Sequence, residues 1–407
     1  MAGTPKVLLV ITQDTKQEEA RFLRRELETA GCAVIHLDPS IRRTVGGAEI
    51  GPEAIAAAAG TTIEDVRALG HEGKCQAVMI RGAVKLAGEA LATEGLAGVL
   101  AVGGSMGTGL AGTLLQTFPY GLPKLIVSTM ASGFTAPYVG VKDIAMMNAV
   151  TDIAGINSIS RDVFRNAARA VAGMAHGYDA TPRADKPLIL MTTLGTTETT
   201  TARIRRALEA DGNEVMVFHS SGAGGPTLDS IAAERDVAAI LDLSWTEIVD
   251  RLFGGLAAAG PERGRIGPAR GIPTILAPGN VDFIIGGPID QATAQFPDTR
   301  YHVHNPALTA VRTRLPELKK IADELADLAG AAKGPVRLFL PLHGFSSHDS
   351  PAGHLHDPDL PGPFADYFRT VLPAHVPVDV IDCHFNDAEF ADAIVAATRA
   401  MIGERAA

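Results

Sequence analysis

The sequence predicts an α/β protein built from two Rossmann-like subdomains with mainly parallel sheets, related by internal duplication, with a ligand cleft between them. Three observations predict this. Short β-branched apolar runs alternate with amphipathic helical stretches, the pattern of a parallel sheet covered on both faces. The pattern starts again part-way along the chain at a constant offset of 181 residues, where Thr12 meets Thr193 and Val34 meets Val215. And 407 residues, 46% of them hydrophobic, are long for one core and sufficient for two.

In the first half a strand over 7–11 leads into a helix over 15–30. Phe22, Leu23 and Leu27 share one face of that helix, and Glu18, Glu19, Arg24, Arg25 and Glu28 lie off it. Gly31 follows as a C′ glycine. Further strands are expected over 34–37, 77–80, 98–102, 124–127 and 143–147, with helices over 110–117 and 162–175. Turn formers and charges crowd together at 177–187 and place the boundary there, giving domains 1–180 and 187–407. The second half has strands over 188–191, 215–218, 239–243, 274–277, 336–340 and 378–381, and a closing helix over 387–401. Any two βαβ units share apolar spacing. The duplication rests instead on polar identities in ungapped register: Thr12, Thr15, Arg24, Arg25 and Glu28 recur as Thr193, Thr196, Arg205, Arg206 and Glu209.

The formal net charge of −10 argues against a nucleic-acid footprint. It is compatible with a nucleotide, because a few backbone N–H groups can hold phosphates on an acidic protein. The three cysteines, Cys32, Cys75 and Cys383, are far apart and form no C-x-x-C pair. That excludes a disulfide framework and fits a reducing compartment. The N-terminus lacks the layout of a signal peptide, and no apolar run approaches the ~20 residues of a membrane span. A cytoplasmic protein with no membrane partner is expected, which disfavours a periplasmic two-lobed solute-binding protein.

In open α/β sheets ligands bind beyond the carboxyl ends of the strands, and six polar segments fall there. After the first strand, Asp14 or Thr15 can cap the helix and Lys16 can pair with a phosphate or carboxylate. After the strand over 98–102 comes a glycine loop, in which Gly103, Gly104, Gly107 and Gly109 let a ligand approach the main chain while Ser105 and Thr108 add hydroxyls. It is neither a Walker loop nor a strict G-x-G-x-x-G. The repeat partner of the first segment is threonine-rich and offers Thr193, Thr196 and Thr197, some of them as caps. A fourth segment, with Ser221, Gly222, Gly224 and Gly225, reads as another close-approach loop. A fifth contains Asn280 and Asp282. The sixth contains His343, Ser346, His348, Asp349 and His354, whose spacing matches no standard zinc pattern and no Gly-x-Ser-x-Gly elbow.

Together these segments resemble a family of uncharacterised bacterial and fungal proteins similar to the ATP-binding N-terminal domain of the tomato mosaic virus resistance protein. The resemblance runs over nearly the whole chain. It is carried by 12–19, 103–109, 221–226, 241–247, Gly254 with Gly255, 259–263, 278–283, 304–306, Arg312 with Thr313, and 344–349. It implies two Rossmann-like subdomains, ATP binding and self-association. The chain departs from the family pattern at His343, where a basic residue is usual, and over 352–358.

Two functional readings follow. In the first, the protein binds ATP or a related nucleotide, as a slow ATPase or an ATP-dependent enzyme acting on a small organic acid. The phosphates lie on the 103–109 loop, Lys16 approaches from the first strand, the 193–197 and 221–225 segments close the site, and Asp282 and Asp349 hold Mg²⁺. In the second, it is a metabolic enzyme for a carbonyl or carboxylate substrate, with His343, His348 and Asp349 as the acid–base or metal group. The expected partners are the nucleotide, the organic acid and further copies of the chain in a homodimer or higher homo-oligomer.

Overall fold

The computed structural model describes residues 3–180 and 186–406. The chain divides into two compact units, Met1–Pro182 and Arg183–Ala407. The expected boundary at 177–187 includes residues 181–185, which lie outside the described residues.

In the N-terminal unit the elements run β1 (Lys6–Val10), α1 (Gln13–Thr29), β2 (Ala33–Leu37), α2 (Pro52–Ala58), α3 (Ile63–Ala68), α4 (Glu72–Glu94), β3 (Leu96–Gly103), α5 (Ser105–Leu115), β4 (Lys124–Ser128), α6 (Ala136–Val139), β5 (Ala145–Asn148) and α7 (Ser158–His176). The strands form one parallel sheet in the order β2-β1-β3-β4-β5. Strand side chains alternate between faces, and β1 is apolar on both. Val7 and Leu9 pack with Leu23 of α1 and Phe164 of α7. Leu8 and Val10 pack with Met79 of α4 and Leu114 of α5. Val7, Leu8 and Leu9 are fully buried, each such side chain contributing roughly 1.5–3 kcal/mol.

One expected strand is a helix. Residues 77–80 lie inside α4, which runs for 23 residues. Its buried positions Cys75, Met79, Ala83, Ala87 and Ala90 recur every three or four residues, the stripe of a helix against a sheet. A four-residue apolar run carries too little periodicity to separate the two states.

The C-terminal unit runs β6 (Leu188–Thr193), α8 (Glu198–Ala210), β7 (Glu214–His219), α9 (Gly224–Glu234), β8 (Ala239–Asp242), α10 (Thr246–Phe253), α11 (Ile266–Ala269), β9 (Thr274–Leu276), β10 (Phe283–Gly286), α12 (Ile289–Gln295), β11 (Tyr301–Asn305), β12 (Leu308–Arg312), α13 (Leu315–Gly330), β13 (Val336–Pro341), α14 (Pro361–Val371), β14 (Val378–Ile381) and α15 (Ala388–Ala406). Its main sheet is parallel, in the order β7-β6-β8-β9-β13-β14. A small antiparallel sheet, β10-β12-β11, is inserted after β9. The helix α15 packs on α8, and Arg203 with Asp392 and Arg399 with Asp211 join the two at 2.7 Å each.

The two sheets share a strand order, second-first-third-fourth-fifth, with a sixth strand added in the C-terminal unit. The helix ends at the 181-residue offset match in detail. Gly31 and Gly212 adopt φ +83° and +91°, a conformation that favours glycine. Beyond them the Cys32 N–H donates to the Leu27 carbonyl and the Asn213 N–H to the Leu208 carbonyl. Among the described residues no helix is long and apolar enough to cross a membrane, and all three cysteines are buried thiols.

Candidate functional site

In the N-terminal unit β1 and β3 are neighbours, but β2 lies on the far side of β1, so the chain leaves the carboxyl ends of β1 and β3 in opposite directions. Such a switch point opens a crevice at the sheet edge. After β1, Thr12 enters α1 in extended conformation without a side-chain cap bond. The expected capping by Asp14 or Thr15 is not what the structure contains. The Gln13 N–H donates to Asp38 Oδ1 and Ser40 Oγ at 2.9 Å each, and the Asp14 N–H donates to Ser40 Oγ at 3.0 Å. Asp14 turns its own carboxylate to the loop after β2, where Oδ2 accepts from the Ile41 and Arg42 N–H groups at 3.2 and 3.0 Å. Lys16 then breaks the helix, with φ −137° and ψ 40°. Its ammonium donates to Thr15 Oγ1 at 3.2 Å and pairs with no carboxylate among the described residues.

After β3 the glycine loop turns into α5. The four glycines do different jobs. A Cβ on Gly103 would lie 2.6 Å from the Gly107 Cα, so close packing requires glycine there. A Cβ on Gly104 would meet nothing nearer than 3.9 Å, one on Gly107 nothing nearer than 3.7 Å, and one on Gly109 nothing nearer than 3.6 Å. The fold has no need of glycine at those three positions. Gly104 is the N-cap of α5 and provides no side chain to its first turn. The partial positive charge of that helix end is therefore not offset by a cap. Ser105 is exposed, whereas Thr108 is buried and bonds to the Gly104 carbonyl at 2.8 Å and to Ser128 Oγ at 2.6 Å, which makes it a brace for the loop.

Thr12, Asp14, Thr15 and Lys16 from the β1 exit, and Gly103, Gly104, Ser105 and Gly107 from the β3 exit, line one pocket of about 600 Å³. The remaining wall comes from Met106 and from residues 39–75, including Ile41, Arg42, Arg67 and His71. The sequence reading missed this wall. Arg67 is fixed by donating from Nε to the Ile41 carbonyl at 2.7 Å. Arg42 meets Glu72 only at 3.6 Å, in an exposed pair. The one available signal was Asp38-Pro39-Ser40 directly after a strand, a helix-capping composition placed 25 residues from the helix it serves.

The polar segments of the C-terminal unit are largely used up inside the protein. Thr193 Oγ1 and Thr201 Oγ1 are 2.8 Å apart. Thr197 Oγ1 accepts from the Leu194 N–H at 3.1 Å. Thr196 Oγ1 accepts from the Asn280 side-chain amide. In the 221–225 loop the N–H groups of Gly222 and Gly225 donate to Glu247 at 3.0 and 3.1 Å, so a carboxylate of the protein already fills this anion site. A Cβ on Gly224 would lie 2.1 Å from the His219 carbonyl oxygen, and one on Gly225 would lie 1.7 Å from Arg263 Nε. Here packing requires the glycines. Ser221 donates its N–H to the His219 carbonyl at 2.8 Å. Arg263 completes the cluster, 2.7 Å from Glu247 and bidentate on Asp242 at 2.8 and 2.9 Å. Burial works against its charge, but Asp242 and Glu247 outweigh that and hold its pKa above the ordinary value.

The expected Mg²⁺ ligands do not fit a metal. Asp282 and Asp349 are fully buried, and both face Arg312, at 3.9 and 3.2 Å. Asp282 also accepts from Ser346 Oγ at 2.6 Å. The cation of this site is the protein's own guanidinium. Burial and the charge of Asp282 push Asp349 up to about 7. Nor do His343, His348 and Asp349 share surroundings. His343 is exposed and contacts Asp382 at 2.7 Å. The His348 ring packs on His302 with centroids 4.6 Å apart, and burial with His302, His304 and His354 lowers its pKa to about 4. Among the described residues no group of three or more His, Cys, Asp or Glu is arranged to hold a metal ion.

Comparison with known proteins places the chain. Residues 5–180 match the N-terminal domain, and residues 186–402 the C-terminal domain, of an uncharacterised protein family, UPF0261. The chain belongs to the UPF0261 family. A UPF0261 protein of Clostridium tetani is 34% identical over 397 residues, covering 96% of this chain and 97% of that protein. A UPF0261 protein of Brucella suis is 32% identical over 401 residues, covering 97% and 95%. The chain is also similar to the ToMV resistance protein Tm-1(GCR237) of Solanum lycopersicum, at 30% identity over 422 residues, covering 97% of this chain and 55% of the plant protein.

Proposed function

We propose that the N-terminal unit of this UPF0261 protein binds a nucleotide, with ATP the expected ligand, and that the phosphates lie on the main chain at Gly104–Gly107. The observation that carries this reading is the uncapped start of α5, which opens into a pocket of about 600 Å³ through two glycines the fold itself does not need. A volume of that size suits a small-molecule ligand. A helix start with exposed main chain favours an anion by charge and by hydrogen bonding. Lys16, Arg42 and Arg67 add positive charge to the same pocket, and the Asp14 carboxylate beside them is already engaged by two N–H groups. Ser105 adds a hydroxyl at the mouth. When bound, the nucleotide would supply its phosphoanhydride chemistry. The chain's own residues orient and neutralise the phosphates.

The test is a thermal-shift titration of the whole protein with ATP. Wild type is expected to gain several degrees at ligand well above Kd, by mass action on the folded state. Gly104→Val is expected to lose the ATP-dependent gain, measured against the variant's own melting point without ligand, since a Cβ there meets nothing nearer than 3.9 Å while valine is a poorer N-cap than glycine. An unchanged gain in the variant would overturn the assignment of the phosphates to this loop.

A further inference from the structure

We propose that a narrow apolar slot beside the glycine loop seats the nucleobase and reads its flat face rather than its edge, so that adenine and guanine nucleotides bind alike. This rests on the nucleotide reading above. The slot, about 70 Å³, shares Thr12, Pro39, Ile41, Met106 and Gly107 with the larger pocket and so continues it. Its other apolar walls are Val10, Ile11, Val102 and Leu110, each at most 5% exposed. These residues close β1 and β3 and open the apolar face of α5, so the same switch point that builds the phosphate loop also builds an aliphatic recess next to it.

The chemistry of the recess selects which part of a nucleotide enters. A phosphate or a sugar there would lose hydration without gaining partners. A flat, weakly polar ring loses least and gains contact with aliphatic carbon. Met106 is 43% exposed although apolar, and its thioether can close over an aromatic ring. Among the described residues, the polar side chains that line the slot are Thr12 and Gln76. The Gln76 amide nitrogen already donates to the Met106 carbonyl at 2.7 Å. Among the described residues no carboxylate, guanidinium or ammonium lines the recess to read a base edge. Sites that read hydrogen-bonding groups discriminate by roughly 10⁴ or more, whereas apolar pockets separate similar shapes weakly.

Isothermal titration of the full chain with ATP, GTP and tripolyphosphate tests this. ATP and GTP are expected to bind within roughly fivefold of each other, and tripolyphosphate roughly tenfold or more weaker, as loss of the buried apolar contact of the base predicts. Met106→Ala and, independently, Ile41→Ala are expected to shrink the ratio of ATP to tripolyphosphate affinity by roughly threefold or more. Tripolyphosphate binding as tightly as ATP would overturn the slot while sparing the phosphate loop. A preference for one purine of roughly a hundredfold would reveal an edge-reading group and overturn it as well. Failure of all three to bind would overturn the nucleotide reading and the slot together.

Discussion

After β3 the chain runs through Gly103 and Gly104 into α5 and leaves open space around Gly104 and Gly107. After β8, at the same place in the second sheet's strand order, it runs through Asp242 and a wholly buried Trp245 into α10. The space is then filled by Arg263, Asp242 and Glu247. The glycine loop of the C-terminal unit, 221–225, gives its N–H groups to that same Glu247. One topology thus leaves one switch point open and closes the other with an internal ion cluster. A glycine-rich loop beyond a strand does not by itself mark an anion site. What separates the two loops is whether a Cβ would fit and whether the protein already supplies the anion.

The largest expected effect tests the closed site. Arg263→Met leaves Asp242 and Glu247 buried beside an apolar side chain, and removal of one partner from a buried ion cluster costs about 3–5 kcal/mol. Denaturant melts of the variant should show the C-terminal unit unfolding first. An effect below about 1 kcal/mol would mean that the cluster is not what fills the site.

The next comparison sets glycine against glycine. Gly225→Ala drives a Cβ into Arg263 and is expected to destabilise by about 1–3 kcal/mol. Gly107→Ala, inside α5, is expected to leave stability unchanged or raise it by up to about 1 kcal/mol, since alanine favours helix. Its cost should appear in binding, where a methyl group on the pocket floor is expected to weaken ATP by roughly tenfold, about 1.4 kcal/mol. Equal melting behaviour in the two variants would mean that packing constrains both glycines alike.

The closed site should also respond to pH. Burial pushes Asp229, which accepts from the Gly264 N–H at 2.7 Å, up to about 7, against the pull of Arg263. Burial likewise pushes Asp250 up to about 7. A carboxyl group whose pKa is raised on folding binds more protons folded than unfolded between about 4 and 7. Its stabilising contribution is therefore complete below that window and lost as pH rises through it. The melting temperature of the C-terminal unit is expected to fall by roughly 10 °C or more between pH 5 and pH 8 from these groups, and Asp229→Asn should flatten that slope. A slope that is unchanged in the variant would mean that Asp229 does not titrate in this range.

The smallest effect belongs to the open site. Lys16 is a partly exposed cation, so Lys16→Ala is expected to weaken ATP by roughly threefold to tenfold at low salt and less at high salt, as screening requires. Salt-independent loss would point to a contact other than charge pairing.

Much of the fold was legible in the sequence because its signals are local. Doubly apolar strands such as 7–11, the C′ glycines Gly31 and Gly212, and the polar identities at the 181-residue offset all depend on neighbours within a few turns. The strand expected at 77–80 failed for the same reason, since four apolar residues fit either period until the stripe from Cys75 to Ala90 is seen against the sheet. At the site, the sequence identified Lys16 and the 103–109 loop but not Arg42, Arg67 or His71. These reach the pocket through a connection between β2 and α4 whose path is set by the Asp14 and Asp38 contacts.

By itself, then, the sequence determined the periodicity, the polar identities at the 181-residue offset and the two parallel sheets, all of which follow from side-chain spacing along a continuous chain. Only the tertiary structure decided which glycines make room for a ligand and which merely avoid a neighbour. It also decided that Asp282 and Asp349 answer to Arg312 rather than to a metal. These outcomes depend on groups brought together from distant positions, where excluded volume and buried charge are set by the partner across the space and not by the next residue in the chain.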